Sequence, residues 1–363
     1  MKDQNQSPDI AFFLPALNSG GAEKNTILLA QEMCKKGLKV EILVMEKTGA
    51  FLDHVPTNIK LRETGKGIAA STFFMIKYVR RYSPRCIVAG LPAPNIVAIT
   101  AGLMTGRLKD IYLTQHHPFS LNARHARRSR TLIAKLLFPV GRHFICVCEG
   151  VARDLEQSAG VRRDRITVIP NPVDIKAVQD MAHEEMPEFL KKSPGQKQAV
   201  IVGRLAAPKD LETPLRALQS CSGLNLVFCG EGPERKRLEL LAGNLNVQDK
   251  VIFTGFLDNP YAVMAHSDLL ILSSEHEGFG NVLIEAMALG APVIATDCPY
   301  GPSEILEGGR YGSLIPVGDS KAMARAIQSI LQGKHPAGQD LKKRAGLYDI
   351  KEITRFYLDL LNI

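Results

Sequence analysis

Ser273-Ser274-Glu275-His276-Glu277-Gly278-Phe279-Gly280-Asn281-Val282-Leu283-Ile284-Glu285-Ala286 is the stretch that decides the fold. The apolar run Leu269–Leu272 before it reads as a short buried strand, and Gly-Ala-Pro-Val-Ile-Ala-Thr-Asp at 290–297 carries the next one at 293–295. Strand, glycine-rich loop, helix and strand in this order make a unit of a helix-covered parallel sheet. Glu277 and Glu285 are separated by seven residues. Glu277 falls in a loop whose backbone amides are free, and Glu285 about one turn inside the helix on its ligand-facing side. One carboxylate can then meet sugar hydroxyls while the other holds a ribose. A helix after a merely flexible acidic turn would not require the strands on either side.

The same alternation runs outward along nearly the whole chain. Strands are expected at 199–202, 225–229, 251–253 and 313–315 in the second half, and at 10–14, 40–45, 86–89, 111–114, 143–147 and 166–169 in the first. Helical segments separate most of them; one at 23–36 ends at Gly37, whose missing Cβ suits a left-handed cap. The 363 residues suggest two domains at about 150 residues each. Residues 173–197 are charged, contain Pro187 and Pro194 and close with Ser-Pro-Gly-Gln-Lys-Gln, the composition of a linker. The expected layout is an N-terminal domain at 1–175, a linker at 176–197, a C-terminal domain at 198–345, and a helix at 346–363 packing back on the N-terminal domain. Two parallel sheets so joined leave a cleft between the carboxyl ends of their strands.

Composition excludes fibrous, low-complexity and wholly disordered classes, with 45% hydrophobic and 23% charged residues. No apolar run approaches the roughly 18 residues of a membrane span, and the N-terminal Met-Lys-Asp-Gln-Asn-Gln-Ser-Pro-Asp lacks a secretory pattern. Seven scattered cysteines argue against a disulfide framework and for a reducing cytoplasm. The net charge of +8 is uneven: from Arg107 to His143 eight lysines and arginines face Asp110 alone. A solvated face, an anionic substrate or a membrane surface all fit this excess; nucleic acid fits least, since no recognition motif accompanies it. Leu132, Ile133, Leu136, Leu137 and Phe138 recur at helical spacing among these charges, a stripe expected to be mostly core with its edge at a membrane interface.

Gly65, Gly67 and Ala70 match a dinucleotide fingerprint in letters only, because no apolar strand precedes them and no acidic residue lies between Glu63 and Asp110. There is no phosphate-binding Gly-x-x-x-x-Gly-Lys loop. His143, Cys146 and Cys148 alternate as a buried strand does, with cysteine as a small hydrophobe rather than a ligand. The paired glycines Gly20 and Gly21 open the first helix, where a ligand, or simply a tight turn, has room. Val202-Gly203-Arg204-Leu205 ends the first strand of the second half, and with Lys209-Asp210 places two cations at the carboxyl edge of its sheet.

On these residues the chain resembles the retaining glycosyltransferases of the family 4 type, which have the GT-B fold: two Rossmann-like, doubly wound parallel-sheet α/β domains facing a cleft. The matching elements are Gly-Gly-Ala-Glu at 20–23, Thr-Gln-His ending at His116, Asn171-Pro172-Val173-Asp174, Gly203-Arg204 with Lys209, the Glu277 to Glu285 motif, and Gly301-Pro302-Ser303-Glu304. Cys148 departs from the pattern, where many relatives carry serine. The resemblance implies a nucleotide diphosphate sugar in the C-terminal half. Its diphosphate would meet Arg204 and Lys209, its ribose Glu285, and its sugar Glu277 with the amides of Phe279 and Gly280; Gly203 and Asn281 complete the binding set. Gly20, Gly21 and His116 would face it from the other half, with His117 as the rival of His116. No Asp-x-Asp metal motif is present, so a metal-independent hexosyltransferase without a cofactor is expected, using a UDP-hexose or UDP-N-acetylhexosamine as co-substrate. The expected acceptor is a hydroxyl of a lipid-linked or surface-glycan precursor, reached from the cytoplasm by peripheral contact with an anionic membrane. A sugar-nucleotide epimerase of the same fold and a non-catalytic sugar-nucleotide binding module are the alternatives. A retaining hydrolase is disfavoured, because no second carboxylate offers itself as nucleophile in the N-terminal half.

Overall fold

The computed structural model describes residues 7–18, 20–121, 128–191 and 195–363, and of residues 128–130 only the backbone. It contains two units, one of Met1–Pro172 with Ile350–Ile363 and one of Val173–Asp349.

The first unit is built on seven strands: β1 (Ile10–Leu14), β2 (Val40–Val44), β3 (Lys60–Glu63), β4 (Cys86–Gly90), β5 (Ile111–Gln115), β6 (His143–Cys146) and β7 (Ile166–Val168). Every pairing is parallel, in the order β3-β2-β1-β4-β5-β6-β7. β1, β2, β4 and β5 are buried at every position, as near-continuous apolar strands are when helices cover both faces. The edge strand β3, Lys-Leu-Arg-Glu, gives no apolar signal and was not expected. Its backbone ladder to β2 is reinforced by Arg62, whose Nε donates to Glu41 Oε2 at 2.7 Å, and its charges blunt the sheet edge. The terminal helix Ile350–Leu361 belongs here: Ile350, Ile353, Tyr357 and Leu361 join the core beside the first helix, Gly21–Lys35.

The second unit carries β8 (Lys197–Val202), β9 (Leu224–Cys229), β10 (Val251–Gly255), β11 (Leu269–Leu272), β12 (Val293–Thr296) and β13 (Ser313–Ile315), all parallel in the order β10-β9-β8-β11-β12-β13. The chain reverses direction across the sheet between β8 and β11. In doubly wound sheets the crevice beyond the carboxyl ends of such strands receives the ligand.

The division of the chain differs from the expected one. Residues 176–197 are not a separate linker, because the helix Ile175–Ala182 packs on the helices Tyr261–His266 and Asn281–Leu289 and buries Val178 and Ala182. Gln179 Nε2 also donates to Ala288 O at 3.1 Å. The second unit extends to Asp349, where a parallel bridge joins Val173 to Asp349 and Val173 N donates to Tyr348 O at 2.9 Å. Among the described residues no helix is long and apolar enough to cross a membrane.

Candidate active site

At the reversal point of the second sheet, the loops after β8 and β11 are stitched together. Ser273 Oγ donates to Lys209 O at 2.7 Å, and Glu275 N to Pro208 O at 2.9 Å. This brings Lys209, in the turn after β8, into an ion pair with Glu277 in the loop after β11. Ser274 Oγ donates to the same carboxylate, to Oε1 at 2.6 Å, while Thr296 Oγ1 at the end of β12 holds Ser274 O at 2.6 Å. The Glu277 side chain is only 12% exposed and that of Lys209 32%, so both charges are fixed before any ligand arrives. Gly203, Arg204, Lys209, Ser273 and Ser274 line one pocket, and Arg204 is exposed. Two cations at one carboxyl edge suit a diphosphate.

The loop then turns into the helix Asn281–Leu289 through Gly280, whose φ of +106° favours glycine. Its N-terminal amides and dipole point from the same edge. Glu285 sits one turn in, and the Tyr261 hydroxyl donates to its Oε1 at 3.2 Å. Phe279 is buried; Gly301, with φ +94°, lies so close behind it that a Cβ there would stand 1.9 Å from Phe279 O.

In the first unit, His116 follows β5 and lines a small, mixed pocket with Asn25, Thr26 and Asn171 on its polar side and Phe12, Leu29 and Val88 on its apolar side. His116 is buried and His117 exposed, so the pocket residue of the pair is His116. Burial, followed by the charge of His117, pushes the His116 ring down to about 4, against a hydrogen bond with Asn171 that favours the protonated form. The ring is therefore neutral at pH 7. Gly20 and Gly21 open the first helix, and a Cβ at Gly20 would meet a Glu23 carboxylate oxygen at 2.3 Å. Glu23 itself is buried, and burial raises its pKa.

A ring held neutral in the fold must charge when the chain unfolds in acid. The stabilisation is fully present above the unfolded value near 6.5 and is lost as pH falls from there towards 4, amounting to about 3 kcal/mol. In urea unfolding at pH 7 and pH 4, the first unit of His116→Gln should lose about 3 kcal/mol less than the wild type. Equal losses would show that His116 does not carry this acid sensitivity.

Comparison with known proteins identifies the family. The family described as "Glycosyltransferase Family 4" matches residues 19–177, and "Glycosyl transferases group 1" matches residues 182–347. The chain belongs to the family 4-type GT-B glycosyltransferases. It is 25% identical over 366 residues to the Campylobacter jejuni N-acetylgalactosamine-N,N'-diacetylbacillosaminyl-diphospho-undecaprenol 4-alpha-N-acetylgalactosaminyltransferase, covering 95% of this chain and 97% of that one. The lipopolysaccharide core biosynthesis glycosyltransferase LpsE of Rhizobium meliloti is 33% identical over 169 residues, covering 44% of this chain and 48% of its own. Among solved structures, Anabaena HepE in complex with UDP is similar with a TM-score of 0.83 at 21% identity, covering 98% of this chain and 99% of that one.

For this glycosyltransferase, the structure brings Gly203, Arg204, Lys209 and Glu277 together at the β8 and β11 loops, with Phe279, Gly280, Asn281 and Glu285 continuing from them. Gly20, Gly21 and His116 belong to the first unit. Sequence reasoning missed Ser274, although Ser-x-x-Glu spacing was a visible signal for a hydroxyl meeting Glu277. Tyr261 carried no such signal, since its helix reaches Glu285 only through tertiary packing. The apolar stripe of the helix Arg128–Leu137 is less buried than expected: Ala134 and the following Phe138 are core, but Leu132 is 61% and Leu136 68% exposed, with Ile133 also exposed. Of the basic segment, Arg107 pairs with Asp110, and the side chains of Arg124, Arg127, Arg128 and Arg130 lie outside the described residues.

Proposed function

We propose that the protein transfers a hexose or N-acetylhexosamine from a UDP-sugar, with retention, to a hydroxyl of a lipid-linked or surface-glycan precursor. The observation that carries this reading is the fixed Lys209–Glu277 pair beside the exposed Arg204 at the strand-order reversal. The diphosphate lies against Arg204 and Lys209. The sugar lies against Glu277 and the amides of Phe279 and Gly280, and the ribose against Glu285; Gly203 and Asn281 line the donor. In the first unit, the neutral ring of His116 and the Gly20–Gly21 turn are the groups suited to a sugar hydroxyl.

As the anomeric carbon–oxygen bond to the diphosphate breaks, the acceptor oxygen bonds that carbon from the same face, and its proton passes to a phosphate oxygen of the departing nucleotide. The two cations stabilise the charge that develops on the diphosphate, so the reading needs neither a metal nor a cofactor. UDP is supported by the Gly301–Glu304 run and by the UDP bound to HepE; the acceptor class is supported by the name of the Campylobacter jejuni relative.

A thermal-shift panel of UDP, GDP and ADP tests the donor, because a ligand at about 100 times its Kd stabilises the fold by about 2.7 kcal/mol. Selective stabilisation by UDP is expected; stabilisation by GDP alone would reject it. Glu285→Ala should raise the donor KM about 10- to 100-fold with little change in kcat, because a ribose contact is made equally in ground and transition states. A fall in kcat at unchanged KM would remove Glu285 from the ribose.

The exposed Leu132, Ile133 and Leu136 beside exposed Lys135 fit peripheral docking on the anionic cytoplasmic face of a membrane. Each nearby cation contributes about 1 kcal/mol, screened as the Debye length falls from about 10 Å at 0.1 M salt to about 3 Å at 1 M. Co-sedimentation with anionic vesicles should therefore weaken with salt and in Leu132→Ser/Leu136→Ser. Equal binding to neutral vesicles would reject the anionic surface, and no binding at low salt would reject the membrane.

A further inference from the structure

Behind the donor loop, one guanidinium holds several pieces of the second unit at once. Arg344, on the helix Gly338–Gly346, donates from Nε to Ile305 O at 2.9 Å and from Nη2 to Glu304 O at 2.7 Å. These are carbonyls at the end of the short helix Pro302–Ile305, where backbone donors run out; Glu304 O also accepts from Glu307 N at 3.3 Å. The same guanidinium lies over two rings, with its carbon 5.4 Å from the centroids of both Tyr311 and Tyr348. Tyr348 is buried and meets the Phe279 ring edge-on at 5.9 Å between centroids.

The turn that Arg344 fixes also abuts the donor loop from the other side. Tyr300 and Gly301 both have positive φ, +76° and +94°, and the backbone of Gly301 sits against Phe279 O with no room for a Cβ. The helix bearing Arg344 packs along Asn281–Leu289, the helix that presents Glu285. Phe279 is thus gripped on its ring through Tyr348 and on its carbonyl through Gly301, and both grips lead to Arg344. A strained backbone persists only where its surroundings over-determine it, and here a planar fork that lies over two rings supplies that constraint.

We propose that Arg344 is a positioning residue for the donor site: without touching the nucleotide sugar, it sets the backbone of Phe279 and Gly280 in the conformation that binds it. This rests on the assignment of that loop to the donor. A lysine cannot replace it, because its ammonium is a point charge on a flexible stem, with neither the rigid planar fork that holds the two carbonyls nor a plane to lay over the rings.

Amide hydrogen exchange of the ligand-free protein tests the positioning without reference to activity. Arg344→Ala and Arg344→Lys should both speed exchange at 277–283 and 301–306 at least tenfold, with little change at β9 and β10. Tyr348→Leu, which removes the ring between Arg344 and Phe279, should do the same at 277–283. In steady-state assays these variants should raise the donor KM about tenfold with kcat within about twofold. Leu341→Val, a buried change on the same helix, controls for lost stability and should leave KM unaltered. Unchanged exchange at 277–283 would overturn the positioning, and faster exchange with an unchanged KM would overturn its link to the donor. If the wild type bound and cleaved no nucleotide sugar, the donor assignment would fall, while the exchange data would still decide whether Arg344 shapes the loop.

Discussion

Turnover in Lys209→Ala falls by about 10²- to 10³-fold, and in Arg204→Ala by a similar factor, with much smaller changes in donor KM. The leaving diphosphate gains charge as its bond to the sugar stretches, and a cation that is already in place stabilises that charge without reorganising. Lys209 is such a cation, because Glu277 fixes its ammonium and Ser274 in turn fixes Glu277. Its removal also leaves the Glu277 carboxylate, only 12% exposed, without its counter-charge next to an anionic substrate. Initial rates across donor concentrations, with circular dichroism confirming an intact fold, measure the effect. Turnover within about threefold of the wild type would remove both cations from the reaction.

Gly301→Ala destabilises the second unit by about 4 kcal/mol and abolishes donor binding. Two costs combine: the left-handed backbone at φ +94°, about 1–2 kcal/mol for any residue with a Cβ, and overpacking against Phe279 O, about 1–3 kcal/mol more. The second cost cannot be relieved by a side-chain rotation, because the atom in the way belongs to the backbone of the donor loop. Gly318→Ala is the comparison: its φ is also positive, at +76°, but open space surrounds it, so only the backbone cost of about 1 kcal/mol applies. Urea unfolding followed through the second unit should separate the two variants by about 3 kcal/mol. Equal losses would mean that the turn and the loop are not locked together.

Much of the fold was legible because buried parallel strands are apolar along their whole length, as in β1, β4 and β11. β3 escaped because an edge strand held by its ladder and the Arg62–Glu41 pair needs no apolar residues. The helix Ile175–Ala182 escaped because the charged, proline-containing stretch that follows it dominates the composition of 173–197, although Ile175, Val178 and Ala182 fall on one helical face. In the candidate site, Arg204, Lys209, Glu277 and Glu285 stood out in the sequence by type and spacing. It did not show that Lys209 and Glu277 pair, since that follows from β8 lying beside β11 in the sheet. Tyr261 and Arg344 were invisible for the same reason. The stripe at Leu132 and Leu136 illustrates a different limit: helical spacing shows that one face is apolar, not whether anything covers it.

The central claim is tested most directly by incubating the purified protein with UDP-N-acetylhexosamine or UDP-hexose and a polyprenyl diphosphate-linked sugar acceptor, then following nucleotide release and the anomeric configuration of the product by NMR. Stoichiometric release of UDP with formation of an α-linked product from the α-configured donor is predicted, and loss of that release in Lys209→Ala ties the reaction to the site. Formation of an epimerised nucleotide sugar, or tight binding of UDP with no product from any donor and acceptor pair, would contradict it.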